Sequence, residues 1–470
     1  MFISELRLGN FQSFRAANKI PLAPLTLILG PNSSGKSAII KSLLLLKQTD
    51  RDQQNGSLTF VGPDVDLGGF DNTINGHSAD LEMSIGLSFR EPGGPDWSVD
   101  YKIDRSERIV ELRQKGFANT GAKVLYKKGV ELTFTYSPDD LEYFVQATNK
   151  AAWRSLYLAF TEWSRARRTI SSESLEEFTS SIRNAGFDLS GIGVRPLINY
   201  ALPTSGASGR ADENTRQLRY GVSAQIGAPS ARVRRLLHDA VHIAGLRSIP
   251  DRFDVVRESR IALKADSSNI YQFLTSYPGA LKVASSNLKR LTKGAYELQH
   301  VDLKLAAQTT DLPVKIGTLA LVDKRAGITT HFKDVGTGLS QVLPILATLS
   351  LANATYSAFG SQLLLVEQPE LHLHPKMQGD LAEMIALQSG AGKKNGPQVI
   401  LETHSENFLL RVQRLVREGK LPNDKIEILY VDRALRTGTA RVKRLSLDTN
   451  GDLIGTLPVD FSDIRLSEFF

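Results

Sequence analysis

Residues 30–37 read Gly-Pro-Asn-Ser-Ser-Gly-Lys-Ser: a glycine, four residues, a second glycine, then lysine and serine. The apolar run 25–29 precedes this motif, and a stretch free of Gly and Pro runs from Lys36 to about Lys47 behind it. Strand, loop and helix in that order form a phosphate-binding loop. Glycines let the chain turn sharply enough to aim several backbone N–H groups into one concavity, and the helix N-terminus adds partial positive charge. The spacing predicts an ATP site made by Asn32, Ser33, Ser34, Gly35, Lys36, Ser37 and Ala38, with Lys36 on the terminal phosphates and Ser37 on Mg2+. A Gly/Ser turn that only caps a helix is the alternative, and the three elements in order weigh against it.

Such a loop hydrolyses nothing alone; it needs a carboxylate near the metal at the end of another buried strand. Residues 363–366 are four apolar residues followed by Glu367, which is the expected metal-side acid, acting through water. The next apolar strand leads into Glu402-Thr403-His404-Ser405. A histidine at a strand's C-terminal end, where a helix starts, sits where a γ-phosphate can be sensed; a capping or loop histidine is the alternative, and the one favoured if the other motifs were absent. Residues 334–341, Asp-Val-Gly-Thr-Gly-Leu-Ser-Gln, form a second glycine-bearing loop opening a helix. Two such helix N-termini serve one ATP only if two chains face each other; a plain helix cap by Ser340 is the local alternative. His372 and His374 alternate as on a strand or tight loop but lack an evident third metal ligand, so structural or interface roles are expected for them.

With 470 residues, 41% of them apolar, the chain can bury a large core in two or three units. It contains no cysteine, which excludes disulfides, zinc–thiolate sites and thiol nucleophiles and suits a reducing, cytoplasmic setting. The N-terminal residues alternate like a strand, without a signal-peptide layout. The longest apolar stretch near them, 38–46, is interrupted by Lys41 and Ser42 and is far short of the ~20 residues a membrane helix needs. The net charge of +7 and pI near 9.3 are compatible with nucleic acid or an acidic partner.

The expected organisation has three parts: residues 1–136 with the phosphate loop and several antiparallel strands, a mainly helical segment 137–295, and residues 296–470 in which strands alternate with helices. The alternation predicts an α/β fold. In the middle part, residues 231–243 and 270–291 read as helices, the second broken near Pro278. Two basic runs, Arg165, Arg167, Arg168 and Arg232, Arg234, Arg235, lie on expected helices, the first beside Trp153, Tyr157 and Trp163. A solvated helix face is the plainest reading of them, and a nucleic-acid or acidic-protein surface the functional one.

The stretches GPNSSGKSAIIKSLLLLKQT, DVGTGLSQVLPIL, LLLVEQPELHLHP and LETHSENFLLRV, in this order, resemble the ABC-type ATPase heads of the SMC, RecF and OLD group. They look especially like the ATPases of bacterial anti-phage defence, such as those of Septu, PARIS and some retrons. Gly245-Leu246-Arg247 with Pro250 and Arg252 extends the match. The resemblance covers residues 1–50 and about 240–430. It implies an ABC-type P-loop head with an attached antiparallel sheet and a helical insertion, working as a head-to-tail dimer or a larger ring of dimers. Gly336, Gly338, Ser340 and Gln341 then belong to a signature motif contacting the partner's ATP. Glu367 becomes the Walker B acid, His404 the switch histidine, and Ser13 and Arg15 further nucleotide contacts. A second acid normally follows the Walker B carboxylate as general base, and here that position is Gln368. An amide orients water but cannot take its proton, so hydrolysis is expected to be slow, or Glu370 substitutes. The segment after His404 is too short for the nuclease domain of OLD-type enzymes, so a separate effector such as a nuclease is expected.

Overall fold

The computed structural model describes residues 2–15, 17–52, 57–77, 81–90, 97–107, 109–115, 123–127, 131–135, 236–255, 263–276, 279–303, 316–353, 363–434 and 436–455. Its first elements are β1 (Phe2–Gly9), β2 (Asn18–Pro21), β3 (Leu25–Leu29), α1 (Lys36–Asp52) and the single turn α2 (Phe70–Thr73). Then come β4 (Met83–Arg90), β5 (Trp97–Ile103), β6 (Ile109–Lys115), β7 (Lys123–Lys127) and β8 (Glu131–Thr135). Past residue 235 follow β9 (Val241–Ile243), β10 (Asp254–Val255), α3 (Ile270–Ser276), α4 (Ala280–Leu291), β11 (Tyr296–Leu303), β12 (Ile316–Asp323) and β13 (Ile328–His331). The described chain ends with α5 (Thr337–Asn353), β14 (Leu363–Glu367), α6 (Pro375–Gln388), β15 (Gln398–Glu402), α7 (Glu406–Arg417), β16 (Ile426–Arg433), β17 (Ala440–Leu447) and β18 (Leu453–Ile454). These elements fall into two units, one drawn from residues 3–20 and 41–238 and the other from 21–40 and 239–470.

The first unit is built on a seven-stranded sheet in the order β2-β1-β4-β5-β6-β7-β8, antiparallel from β4 through β8. Alternation in β4 buries Met83, Ile85, Leu87 and Phe89 on one face. Arg7 on β1 ties three strands together: its Nε donates to Asp100 at 2.6 Å, and one Nη donates to Ser88 at 2.6 Å. Ser13 and Arg15 lie in this unit, at the tight turn where Phe11 and Phe14 exchange backbone hydrogen bonds.

The second unit holds a seven-stranded sheet in the order β18-β17-β16-β3-β15-β14-β9. The strands β16, β3, β15, β14 and β9 run parallel, while β17 and β18 are antiparallel additions at one edge. Parallel strands are covered on both faces, which is why β3 (LTLIL) and β15 (QVILE) are buried at every position. Helix α7 buries one apolar stripe, Phe408, Leu409, Val412, Leu415 and Val416, and leaves Leu410 exposed. A smaller antiparallel sheet, β10-β12-β11 with β13 on β12, completes this unit. Its core runs from Leu25, Leu27 and Leu29 through Phe273, Leu343 and Ile345 to Phe408 and Ile428.

The mixed α/β fold read from the sequence is observed, and β3 matches the apolar run at 25–29. The helix expected over 231–243 is observed only in part: residues 236–238 are helical and the end of the range is not. Of them, 231–235 lie outside the described residues, and Val241–Ile243 form β9, parallel to Leu364–Val366 of β14. Three residues are too few to show a strand period, so pairing with a central strand decides their state. Residues 239–295, read as the end of a helical insertion, thus contribute a strand to the parallel sheet. The helix expected over 270–291 occurs as α3 and α4, with Gly279 in a left-handed conformation (φ 87°) before α4. Residues 137–235 of the expected insertion, including both arginine runs and Trp153, Tyr157 and Trp163, lie outside the described residues. Among the described residues, no helix is long and apolar enough to cross a membrane.

Candidate functional site

In an open parallel sheet, ligands are bound at the carboxyl ends of the strands. At that edge β3 runs into Gly30, β14 ends on Glu367 and β15 ends on Glu402. The pairing β14–β15 sets Glu367 directly opposite Glu402, and β15 lies beside β3. Residues 35 positions apart in sequence are thereby neighbours beside the phosphate loop.

The loop has the expected backbone. Gly30, Ser33 and Gly35 have φ of 144°, 59° and 109°, the reversals that turn successive N–H groups inward. A Cβ at Gly30 would collide with the Val431 carbonyl, so only glycine fits there. Pro31, Asn32 and Ser33 are exposed, whereas Ser34, Lys36 and Ala38 are buried. The Ser34 hydroxyl is buried without a partner. The Lys36 ammonium donates to the carbonyls of Gly30 (3.0 Å) and Pro31 (2.6 Å). Burial lowers its pKa, opposed by the negative charge of Glu402 and Glu370. This buried cation is held by two neutral carbonyl oxygens and, among the described residues, pairs with no carboxylate, an arrangement suited to an incoming phosphate.

The acids are engaged differently from one another. The Ser37 hydroxyl donates to Glu402 at 3.1 Å, and the second oxygen of Glu402 is buried without a partner. Burial and the adjacent Glu367 charge push the Glu402 carboxyl up to about 7. Glu367 instead meets His242 of β9, Nε2 to Oε1 at 3.0 Å. Glu370 uses both oxygens: one accepts from the Thr403 hydroxyl and the other from the His404 backbone N–H, each at 2.7 Å. It braces the segment carrying His404. Burial, together with the nearby Lys36 charge, lowers the pKa of the His404 ring, which favours the neutral imidazole. Gln368 sits at φ 44°, its N–H donating to the Glu402 carbonyl at 2.8 Å.

One contributor was not singled out from the sequence for chemistry on its own account. Arg247 is 6% exposed and donates to the carbonyls of Ala244, Gln341, Glu367 and Gln368. It joins β9, the end of β14 and the start of α5. Burial lowers its pKa to about 10, leaving it charged. Glu402 and His242 were also not singled out. The acid before Thr403-His404 was the available signal for Glu402, and His242 had none.

The second glycine-bearing loop starts α5 at Thr337, earlier than the cap at Ser340 expected locally, because the Ser340 hydroxyl is buried and donates to the Thr337 carbonyl at 2.8 Å. Gly336 and Thr337 are exposed. Gly338 packs so tightly that a Cβ would lie 2.6 Å from the His372 carbonyl. Gln341 is buried, its amide donating to the Arg247 carbonyl at 2.7 Å. His374 caps α6 by accepting from the Lys376 N–H, and among the described residues no three His, Cys, Asp or Glu side chains form a metal cluster.

The donor set fits Mg·ATP. A P-loop cation is held largely by phosphate oxygens and water, with one hydroxyl and one or two carboxylates from the protein. Ser37 and the adjoining acids supply these, and the unpartnered Glu402 oxygen is a buried group waiting for a cation or donor. The pKa of Glu402 also sets a stability trend. In unfolded chain it ionises near 4.5, in the folded protein near 7, so the folded state holds the extra proton between these values. Stability of the nucleotide-free protein therefore falls as pH rises through that window. Glu402→Gln should flatten this part of a melting-temperature profile and raise the midpoint by a few degrees above pH 7. A variant profile parallel to the parent's would contradict the assignment.

A family model described as "AAA domain, putative AbiEii toxin, Type IV TA system" matches residues 25–411. No curated protein matches the sequence. Similar solved structures include an Smc head domain with an extended coiled coil, bound to the C-terminal domain of ScpA, from Pyrococcus furiosus. It is 12% identical with a TM-score of 0.42, over 100% of this chain and 99% of that one. Another is the SMC head domain from Thermotoga maritima, 12% identical with a TM-score of 0.41, over 95% of this chain and 100% of that one.

Proposed function

This chain belongs to that AAA-domain family, and on this premise we propose that it is an ATP-binding, slowly hydrolysing ATPase of the ABC-head type that uses ATP to close against a second copy of itself. The observation that carries the reading is the convergence of Lys36, Ser37, Glu402, Glu367 and His404 at one sheet edge. Lys36 and the loop N–H groups hold phosphate, and Ser37 with an adjoining acid holds Mg2+, which supplies charge neutralisation on the phosphate oxygens. Neutral His404 offers one N–H toward a γ-phosphate, its position fixed by Glu370. Gly336 and Thr337, exposed at the start of α5, are the groups offered to the partner's nucleotide, while Ser340 and Gln341 brace that loop from within.

Gln368 stands where a general base would serve, and an amide cannot take the proton. The protein then works as an ATP-dependent clamp more than a continuous motor. Gln368→Glu is expected to raise kcat by about tenfold or more. An unchanged kcat in that variant, with turnover abolished by Glu370→Gln, would move the base to Glu370.

The clamp is proposed to act in the cytoplasm as the sensor or scaffold of an anti-phage defence complex, controlling a separate effector such as a nuclease. The support is the resemblance of GPNSSGKSAIIKSLLLLKQT and the later motifs to such ATPases.

A further inference from the structure

We infer that Glu402, not Glu367, is the carboxylate that holds Mg2+ together with Ser37. The inference deepens the Mg·ATP reading above and rests on it.

The hydroxyl of a P-loop serine has two tasks at a bound cation: its lone pair faces the metal and its proton goes to an acceptor. In this protein the acceptor is Glu402, at 3.1 Å. The acid bonded to that hydroxyl is the one already placed at the cation's side. Its other oxygen is buried with no hydrogen-bond partner, and the residue is only 3% exposed. A buried carboxylate oxygen without a donor is costly, and a cation or its water satisfies it.

Glu367 is committed elsewhere. Its Oε1 meets His242 of the adjacent strand β9, and its backbone carbonyl accepts from Arg247. It is also the more open of the two, with 20% of its side chain exposed. Register makes the exchange of roles physically simple. Glu367 and Glu402 are paired neighbours at the ends of β14 and β15, but β15 adjoins β3 directly while β14 is one strand further away. The strand next to the phosphate loop carries the metal-side acid, and the acid on the outer strand is held by histidine as its positioning partner.

The test uses the full chain and a fluorescent ATP analogue, with Mg2+ titrated and a parallel measurement in EDTA. For Glu402→Gln the Mg2+ needed for half-saturation should rise by about tenfold or more, with affinity in EDTA within about twofold of the parent. Glu367→Gln should leave the Mg2+ requirement within about twofold, and Glu402→Asp, which keeps the charge on a shorter arm, should fall between Glu402→Gln and the parent. A purely structural Glu402 would weaken binding equally with Mg2+ and in EDTA, and that outcome overturns the inference. So does a larger Mg2+ shift in Glu367→Gln than in Glu402→Gln. If Glu402→Gln does not fold, Glu402→Asp and Glu367→Gln decide between the two acids by the same comparison. Absence of binding by the parent protein at every Mg2+ concentration would instead sink the nucleotide reading itself.

Discussion

Lys36→Ala is expected to leave a folded protein that binds ATP at least about a hundredfold more weakly, a loss of about 2.7 kcal/mol or more. The Lys36 ammonium is buried, and its hydrogen bonds go to the carbonyls of Gly30 and Pro31. Charge-assisted contacts to phosphate contribute about 1.5–3 kcal/mol each, and a lysine at this position makes them in place of those carbonyl bonds. Removing a buried, depressed-pKa cation costs the nucleotide-free fold little, so its melting temperature should change by no more than a few degrees. Calorimetric titration and a melting curve with and without Mg·ATP check both halves. Retained affinity would refute the site. The same variant tests the assembly when parent and Lys36→Ala proteins are used as bait with ATP present. A stoichiometric nuclease-like partner whose amount changes with the substitution supports the defence reading. Duplex DNA retained alone, and only with ATP, favours a DNA-binding clamp of the RecF or SMC kind.

Arg247→Ala should be the most damaging single change in stability, at about 3–5 kcal/mol. The guanidinium satisfies carbonyls from three elements at once, those of Ala244, Gln341, Glu367 and Gln368. Truncation leaves buried acceptors unpaired and a cavity behind them. Lysine carries the charge but not the fork, so Arg247→Lys should recover less than half of the loss. Denaturant unfolding of the three proteins measures it. A loss below about 1 kcal/mol would mean that water replaces the fork, and that the ends of β9 and β14 and the start of α5 are coupled by packing alone. ATP binding should fall alongside stability, because the same contacts fix Gln368 and the loop before α5.

Much of the site could be read along the chain because its signals are local. A phosphate loop needs glycines, lysine and serine within eight residues, and β3, β14 and β15 each hold an apolar run because they are covered on both faces. These local requirements determined the α/β class, the places of Lys36, Ser37, Glu367 and His404, and the helices that follow them. Strand adjacency is not local. No periodicity in a three-residue segment could tell that Val241–Ile243 is a strand, because its partner, β14, lies more than a hundred residues on. Nor could spacing tell which of Glu367 and Glu402 adjoins Ser37, since that follows from β15 and not β14 lying beside β3. Arg247 reads as one more charged residue until the fold closes around it and offers four carbonyls. The sequence by itself determined which chemistry the chain carries, through short-range patterns of backbone and side chain. Which oxygen faces which group was decided by the tertiary structure, because hydrogen-bond register between distant strands sets distances that no local pattern contains.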